Sequence, residues 1–408
     1  MELFKVISVD EAKEIIQNEF TYKLGFEKVN ILQAAGRVCY EDVLALTNVP
    51  EFKRSTVDGF AVDSRDVFGA SEAIPAMMEL KGEVFMGKAP PVAIDFSGEC
   101  LYVPTGGMLP KGADSVVMIE YSEKLDENII LINSPVAPGD NVIQEGEDVS
   151  LGETVIKAGQ KLRPYEIGVL ASLGINEILV YKRPKVGIIS TGDEVVPCEA
   201  QLSPGEVRDI NTYLLHSSIL EDVAEPVSYG IIRDDYELLK STVDRAVKEC
   251  DIILISGGSS VGKKDYTLKV IDSYEEGGVL VHGIAVKPGK PTIIGKAEGK
   301  IVFGLPGHPL ACSIIYKTLV KDYIDKLMDL KEEKYGASAI MSINYHKAKG
   351  REEYLPVELE RSGDKVIAKP VFGKSGLMTV FSRAWGYIKI DKNVEGLKEG
   401  QTVQVYRF

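Results

Sequence analysis

The sequence predicts a multidomain α/β protein: a doubly wound parallel α/β domain, an inserted β-rich domain and a C-terminal β-barrel or sandwich. Three observations predict it. At 408 residues the chain exceeds one ordinary core, given about 150 residues per domain. Between 184 and 328, buried-type strands alternate with helical patterns, as in repeated βα units. On either side of that region the runs are short, alternating and punctuated by Gly, Pro and Asp, which is the grammar of antiparallel β-structure.

In chain order, Ser8 and Glu11 fit a capping box, and Ala12, Ile15, Ile16 and Phe20 recur at helical spacing, so an amphipathic helix is expected first. From 46 to 145, runs such as CLYVPT, SVVMIEY and NIILIN predict a compact β unit. The segment 146–180 contains a short helix, PYEIGVLASLG, expected to pack back on the N-terminal helix, which makes the β unit an insertion. In the α/β region the strands are KVGIIST, EPVSYGII, DIILIS, VLVHGIAV and KIVFGL. The helices are NTYLLHSSILED, DYELLKSTVDRAVKE, DYTLKVIDSY and PLACSIIYKTLVKDYIDKLM, several opening at an Asn or Asp suited to N-capping. After 329, alternation returns in SAIMSINYH, YLPVELE, KVIAKPV, GYIKI and TVQVYRF, with a turn-like SGD between two of them.

Hydrophobic residues at 45% and charged residues at 26% describe a folded chain with a substantial core. A formal charge of −14 disfavours nucleic acid and anionic membranes as partners, so an anionic ligand needs a local concentration of Lys, Arg and backbone N–H groups. No stretch approaches the roughly 18 apolar residues that span a bilayer, and the N-terminus lacks a signal-like apolar run, so a cytoplasmic location is expected. Five scattered cysteines without C-x-x-C spacing predict neither a disulfide framework nor a thiolate zinc site.

Ligands of open parallel sheets bind beyond the carboxyl ends of the strands. Four such loops are chemically unusual. Thr191-Gly192-Asp193-Glu194 suits a metal, a hydroxyl or an N–H group, and equally a capping turn. Gly257-Gly258-Ser259-Ser260-Val261-Gly262, leading to Lys263, Lys264 and Asp265, reads as a phosphate cradle at a helix start, or as a flexible turn with Asp265 as N-cap. It lacks P-loop spacing. Lys287-Pro288-Gly289-Lys290-Pro291 holds two cations in a stiff loop, where an anionic ligand offsets their repulsion, or forms a solvated basic turn. Pro306-Gly307-His308-Pro309 is a rigid turn opening a helix, and His308 reads as a hydrogen-bonded loop histidine rather than a general base.

Taken in order, STVDGFAV, PTGGMLPKGADSVVMIE, GEDV, ISTGDEVV, INTYLL, GIIRDD, SGGSSVGKKDYT, AVKPGKP and FGLPGHP resemble the molybdopterin molybdenumtransferases, whose eukaryotic counterpart is the C-terminal part of gephyrin. The resemblance spans nearly the whole chain. It implies an extended linking domain (1–45 and 146–180), an inserted β-rich domain (46–145), an α/β molybdopterin-binding domain (181–328) and a C-terminal β-barrel (329–408). It implies a homodimer whose site joins one subunit's α/β domain to its partner's inserted domain, fed by a molybdopterin adenylyltransferase upstream. The implied reaction hydrolyses adenylyl-molybdopterin to AMP with Mg²⁺ assistance and inserts molybdate into the pterin dithiolene.

By matching motifs, the resemblance implies Glu194, Asp234 and Asp265 as acids, with Asp265 and Glu194 on the metal. It implies Gly257, Gly258, Ser260, Gly262, Lys287, Lys290, Pro306 and Pro309 as ligand-binding positions. Asp58, Thr105 and Asp148 occupy functional positions in the inserted domain. Three departures stand out: Ile143-Gln144-Glu145 where a basic residue is frequent, His308 in place of Asn, and Trp385 in place of a small polar residue. The alternatives are a tungstate-inserting homologue, a pterin-binding scaffold without turnover, and a nucleotide pyrophosphatase of the competence-damage type. The last would lack the STVDGFAV and PTGGMLP segments.

Overall fold

The computed structural model describes residues 6–257, 266–331, 336–373, 376 and 379–408. The first helix, α1 (Val9–Glu19), begins at the expected capping box: Glu11 N–H donates to Ser8 Oγ (3.2 Å), and Ser8 N–H donates to the Glu11 carboxylate (2.6 Å). Val9, Ala12 and Ile16 turn inward, but into the core of the α/β domain rather than toward 146–180. The reason is a short β-bridge in which Ala285 N–H donates to Ile7 O (2.7 Å), pinning the entry to α1 beside the sheet. Helix α2 (Pro164–Ser172) buries Leu170 against Ala34, Cys39 and Ile156 instead. That unit is braced by antiparallel pairing of Phe26–Asn30 with Glu177–Tyr181.

Glu166 caps α2 by accepting the Arg163 N–H at 2.8 Å, and the Arg163 guanidinium beside it holds its carboxyl below the usual range. We expect Glu166→Ala to lower stability by about 1 kcal/mol, read as a shift of the denaturation midpoint. Because the folded carboxyl titrates lower than the unfolded one, this contribution is present above the unfolded value. It should fade as pH falls through the folded value.

The inserted unit is a six-stranded sheet in the order Ser115–Met118, Gly59–Val62, Glu99–Val103, Ala76–Glu83, Ile129–Ile132, Ser122–Lys124. Period-2 alternation sends Phe60, Val62, Cys100 and Val117 to one core and Ala61, Leu101 and Val116 to another. Glycine at 59 is obligatory, because a Cβ there would lie 1.9 Å from Val117 O.

The α/β domain contains β1 (Lys185–Thr191), β2 (Glu225–Ile232), β3 (Ile252–Ser256) and β4 (Gly278–His282). A short strand β5 (Val286–Lys287), then β6 (Ile293–Ala297) and β7 (Lys300–Leu305), complete its strands. The sheet order is β2-β1-β3-β7-β6-β4, parallel among the first four, with β6 antiparallel to both neighbours. Helices α3 (Asn211–Glu221), α4 (Tyr236–Glu249), α5 (Tyr266–Asp272) and α6 (Pro309–Ile315) flank it. Successive residues of β3 face opposite layers: Ile252 and Leu254 enter the core shared with α1 and α3, Ile253 and Ile255 the core under α4 and α5. Covering on both faces is why these strands read as unbroken apolar runs.

Two expectations change here. VLVHGIAV is not one strand: at Gly283 (φ +99°) the chain leaves the sheet, and β5 pairs instead with the C-terminal domain. PTIIGKA supplies β6, a strand the sequence reading passes over, hairpinned to β7.

The C-terminal domain closes on itself. Strands β8 (Gly336–Met341), β9 (Glu352–Ser362), β10 (Lys365–Pro370), β11 (Gly386–Ile390) and β12 (Thr402–Arg407) pair in the cycle β9-β10-β8-β12-β11-β9. This five-strand barrel encloses Met341, Leu355, Val357, Ile388 and Val405. Among the described residues no helix is long and apolar enough to cross a membrane.

Candidate active site

From β1 the chain runs to β2 on one side and then returns to β3 on the other. At such a reversal the loops beyond the strands diverge and leave a crevice. The floor of the crevice is tied across strands: Thr191 Oγ1 donates to Ser256 O (3.3 Å), and Gly257 N–H donates to Leu305 O (3.2 Å). Gly257 has φ +99°, and a Cβ there would sit 2.5 Å from Thr191 O, so glycine alone permits this approach.

Asn211 departs from the N-cap role expected of it. It is buried as the first residue of α3, and its Nδ2 donates to Ser256 Oγ (2.7 Å) and Gly307 O (2.9 Å), fastening α3 to two strand ends. Asp209 serves the helix start instead, accepting the Thr212 N–H at 3.1 Å.

The crevice opens into a cleft of about 870 Å³. Glu194, Asp234, Gly257, Lys287, Lys290, Pro306 and Pro309 all line it, so the strand-end loops singled out in the sequence converge. His308 lines it as well, and its carbonyl accepts the Cys312 N–H at 2.9 Å. Gly289 permits the basic loop to turn (φ +123°), since a Cβ would press on Ile315 at 2.8 Å. Gly258, Ser260, Gly262 and Asp265 lie outside the described residues.

Sequence reasoning missed two cations of the cleft, Arg351 and Arg208. Arg351 reaches the cleft from the turn before β9 in the barrel. Buried Lys347 clamps that turn by donating from Nζ to Arg351 O at 2.8 Å. For Arg351 the only signal is the glycine-containing basic run KAKGR, which a surface turn explains equally well. Arg208 is a further lining cation that drew no notice.

Could Mg²⁺ be held here? Among the described residues no group of three or more His, Cys, Asp or Glu side chains is arranged to hold a metal. Mg²⁺ usually keeps several waters and takes one or two carboxylates together with substrate phosphate oxygens, so it needs no such cage. Glu194, exposed at the cleft, and half-buried Asp234 supply hard oxygen donors of that kind. The residues fit a Mg²⁺ ion completed by ligand and water.

Three family models cover most of the chain: MoeA N-terminal region (domain I and II) over residues 7–174, probable molybdopterin binding domain over 187–326, and MoeA C-terminal region (domain IV) over 338–408. The chain belongs to the MoeA family. A putative molybdopterin biosynthesis protein of Methanocaldococcus jannaschii is 32% identical over 392 residues, covering 93% of this chain and 92% of that one. The molybdopterin molybdenumtransferase of Haemophilus influenzae is 30% identical over 407 residues, covering 99% of each. A crystal structure of a MoeA protein from Pyrococcus horikoshii superposes with a TM-score of 0.83 at 38% identity, covering 99% of each chain.

The remaining residues implied by the MoeA resemblance do not line the cleft within one chain. Asp58 and Thr105 meet each other on the inserted domain, where Thr105 donates from N–H (2.7 Å) and Oγ1 (3.1 Å) to Asp58 Oδ1. Asp148 is exposed in a turn whose N–H donates to Val49 O at 3.0 Å. Of the departures from the MoeA pattern, Ile143 pairs in a short ladder with Arg54, and Trp385 is a partly exposed residue of the barrel. Burial makes four of the five cysteines inert, pushing the Cys39 thiol up to about 11 and the Cys100 thiol up to about 12.

Proposed function

We propose that this MoeA-family chain is a molybdopterin molybdenumtransferase that binds adenylyl-molybdopterin in the cleft, releases AMP and places molybdate on the freed dithiolene. One observation carries the reading: Glu194 and Asp234 share one cleft, at the sheet's switch point, with Lys287, Lys290 and Arg351. A phosphoanhydride needs cations to bind its oxygens and acids to orient the attacking water, and both are present. Lys287, Lys290 and Arg351 bind and orient the phosphates, and the backbone around Gly257 approaches them closely because it carries no side chain. Water adds to phosphorus as the bridging P–O bond breaks, and its proton leaves through a cleft acid. Mg²⁺ would be held by Glu194 together with Asp265, as the resemblance implies, with Asp234 a further oxygen donor in the cleft, and it would offset the charge of the phosphate oxygens.

The inserted-domain residues enter this reading through a homodimer. Asp58, Thr105 and Asp148 lie on exposed surface outside their own chain's cleft, where they can complete a partner's. Exposed Phe85 and Met86, the latter beside Gly106, give that surface an apolar fringe suited to a protein contact. The domain bounds 1–45 with 146–180, 46–145, 181–328 and 329–408, a cytoplasmic setting and an upstream adenylyltransferase belong to the same proposal.

The test is AMP release from adenylyl-molybdopterin with molybdate and Mg²⁺ present. The wild-type chain should release AMP and stop on chelation of Mg²⁺. Asp265→Asn should keep the melting temperature and lose turnover. No AMP from the wild-type chain would leave only a pterin-binding scaffold.

A further inference from the structure

Lys287, an exposed cation of the basic loop, is held from behind by another domain. Strand β5 pairs in parallel with β9, and the register sets Lys287 opposite Glu353. Lys287 Nζ lies 3.0 Å from Glu353 Oε1. The Tyr345 hydroxyl, also from the barrel, donates to the same oxygen at 2.6 Å. Exposure is uneven: the Lys287 side chain is 58% exposed, that of Glu353 only 7%. The carboxylate is therefore the fixed member, and the lysine the one that reaches into the cleft.

A buried carboxylate is tolerated only when paired, and here its partners are one phenol and one ammonium at a ligand site. A free lysine has four torsions to order before it can meet a phosphate oxygen, and it loses much rotamer freedom in doing so. Anchored by one N–H, the ammonium keeps two protons for a ligand, with that freedom already spent in folding. The carboxylate also subtracts positive potential from the cleft, but most of the pair's lysine is in water, where screening weakens that opposing effect.

We infer that Glu353 is a positioning residue: it holds the Lys287 ammonium at the cleft wall for the anionic ligand, and Tyr345 holds Glu353. This rests on Lys287 contacting the ligand as proposed above. It also assigns the barrel a part in substrate binding beyond Arg351.

The experiment is a double-mutant cycle on AMP release from adenylyl-molybdopterin, with kcat and KM measured separately and melting temperatures as the folding control. We expect Glu353→Gln to raise KM by about 5–10-fold, with a smaller loss of kcat, as befits a side chain that must now be ordered by its ligand. In the Lys287→Ala background the same substitution should change KM by less than about 2-fold, the signature of coupled residues. Tyr345→Phe should raise KM in the same direction by roughly 2–3-fold, and it carries the test where Glu353→Gln fails to fold. A tighter KM in Glu353→Gln, or an equal change in both backgrounds, overturns the inference alone. Unchanged kinetics in Lys287→Ala would remove Lys287 from ligand binding, and the inference with it, whereas no AMP release from the wild-type chain would sink the functional reading instead.

Discussion

Lys287→Ala is expected to lower kcat/KM for AMP release by about 10²-fold, with the fold intact. The lysine caps a two-residue strand, is largely exposed and faces a cleft shared with Lys290 and Arg351, so removing its ammonium leaves no buried void. It does leave Glu353 with one partner fewer, and a small drop in melting temperature should accompany the kinetic loss. Lys287→Arg separates charge from shape: a planar guanidinium at a site fitted to an ammonium should restore only part of the rate. A full-rate Lys287→Ala enzyme would remove the basic loop from the chemistry.

The second large effect is structural. Gly257→Ala places a methyl group 2.5 Å from Thr191 O, at a backbone φ of +99° that an alanine rarely adopts. Two strand ends would have to part, and the cost should exceed about 3 kcal/mol. Differential scanning calorimetry should show a clear fall in melting temperature, and residual activity should be lost even in the folded fraction. A Gly257→Ala protein with wild-type stability would mean that the β1 and β3 ends are not in contact in solution. By contrast Gly299→Ala, at a hairpin turn with open space around it, strains only the backbone and should cost less.

Much of this site is legible in the sequence because the α/β layer writes itself twice. Strands covered on both faces need apolar residues along their length, as at residues 252–255, and the loops that follow them stand out by contrast. Glu194, Gly257, Lys287 and Lys290 stand out that way, Asp234 only through the family resemblance, and all reach one cleft. Arg351 does not stand out, because its approach depends on how the barrel docks, and docking leaves no periodic trace in the chain. The split of VLVHGIAV was hidden for a related reason: a single glycine, Gly283, marks the departure, and the segment beyond it stays apolar because it is buried in its new partnership. Asn211 shows the limit of propensity, since a residue suited to capping a helix was taken by a cross-link between strand ends.

The exchange of β5 between domains has an engineering corollary. A chimera that swaps C-terminal barrels between relatives at the junction near 330 would graft a new docking edge onto an old strand, and the Val286–Glu352 and Lys287–Glu353 register would be inherited from two different parents. Such hybrids should assemble faithfully only when the short segment from Gly283 to Pro291 travels with the barrel, although the chain separates the two by an entire hairpin and a helix. The natural unit of recombination in this protein is therefore discontinuous.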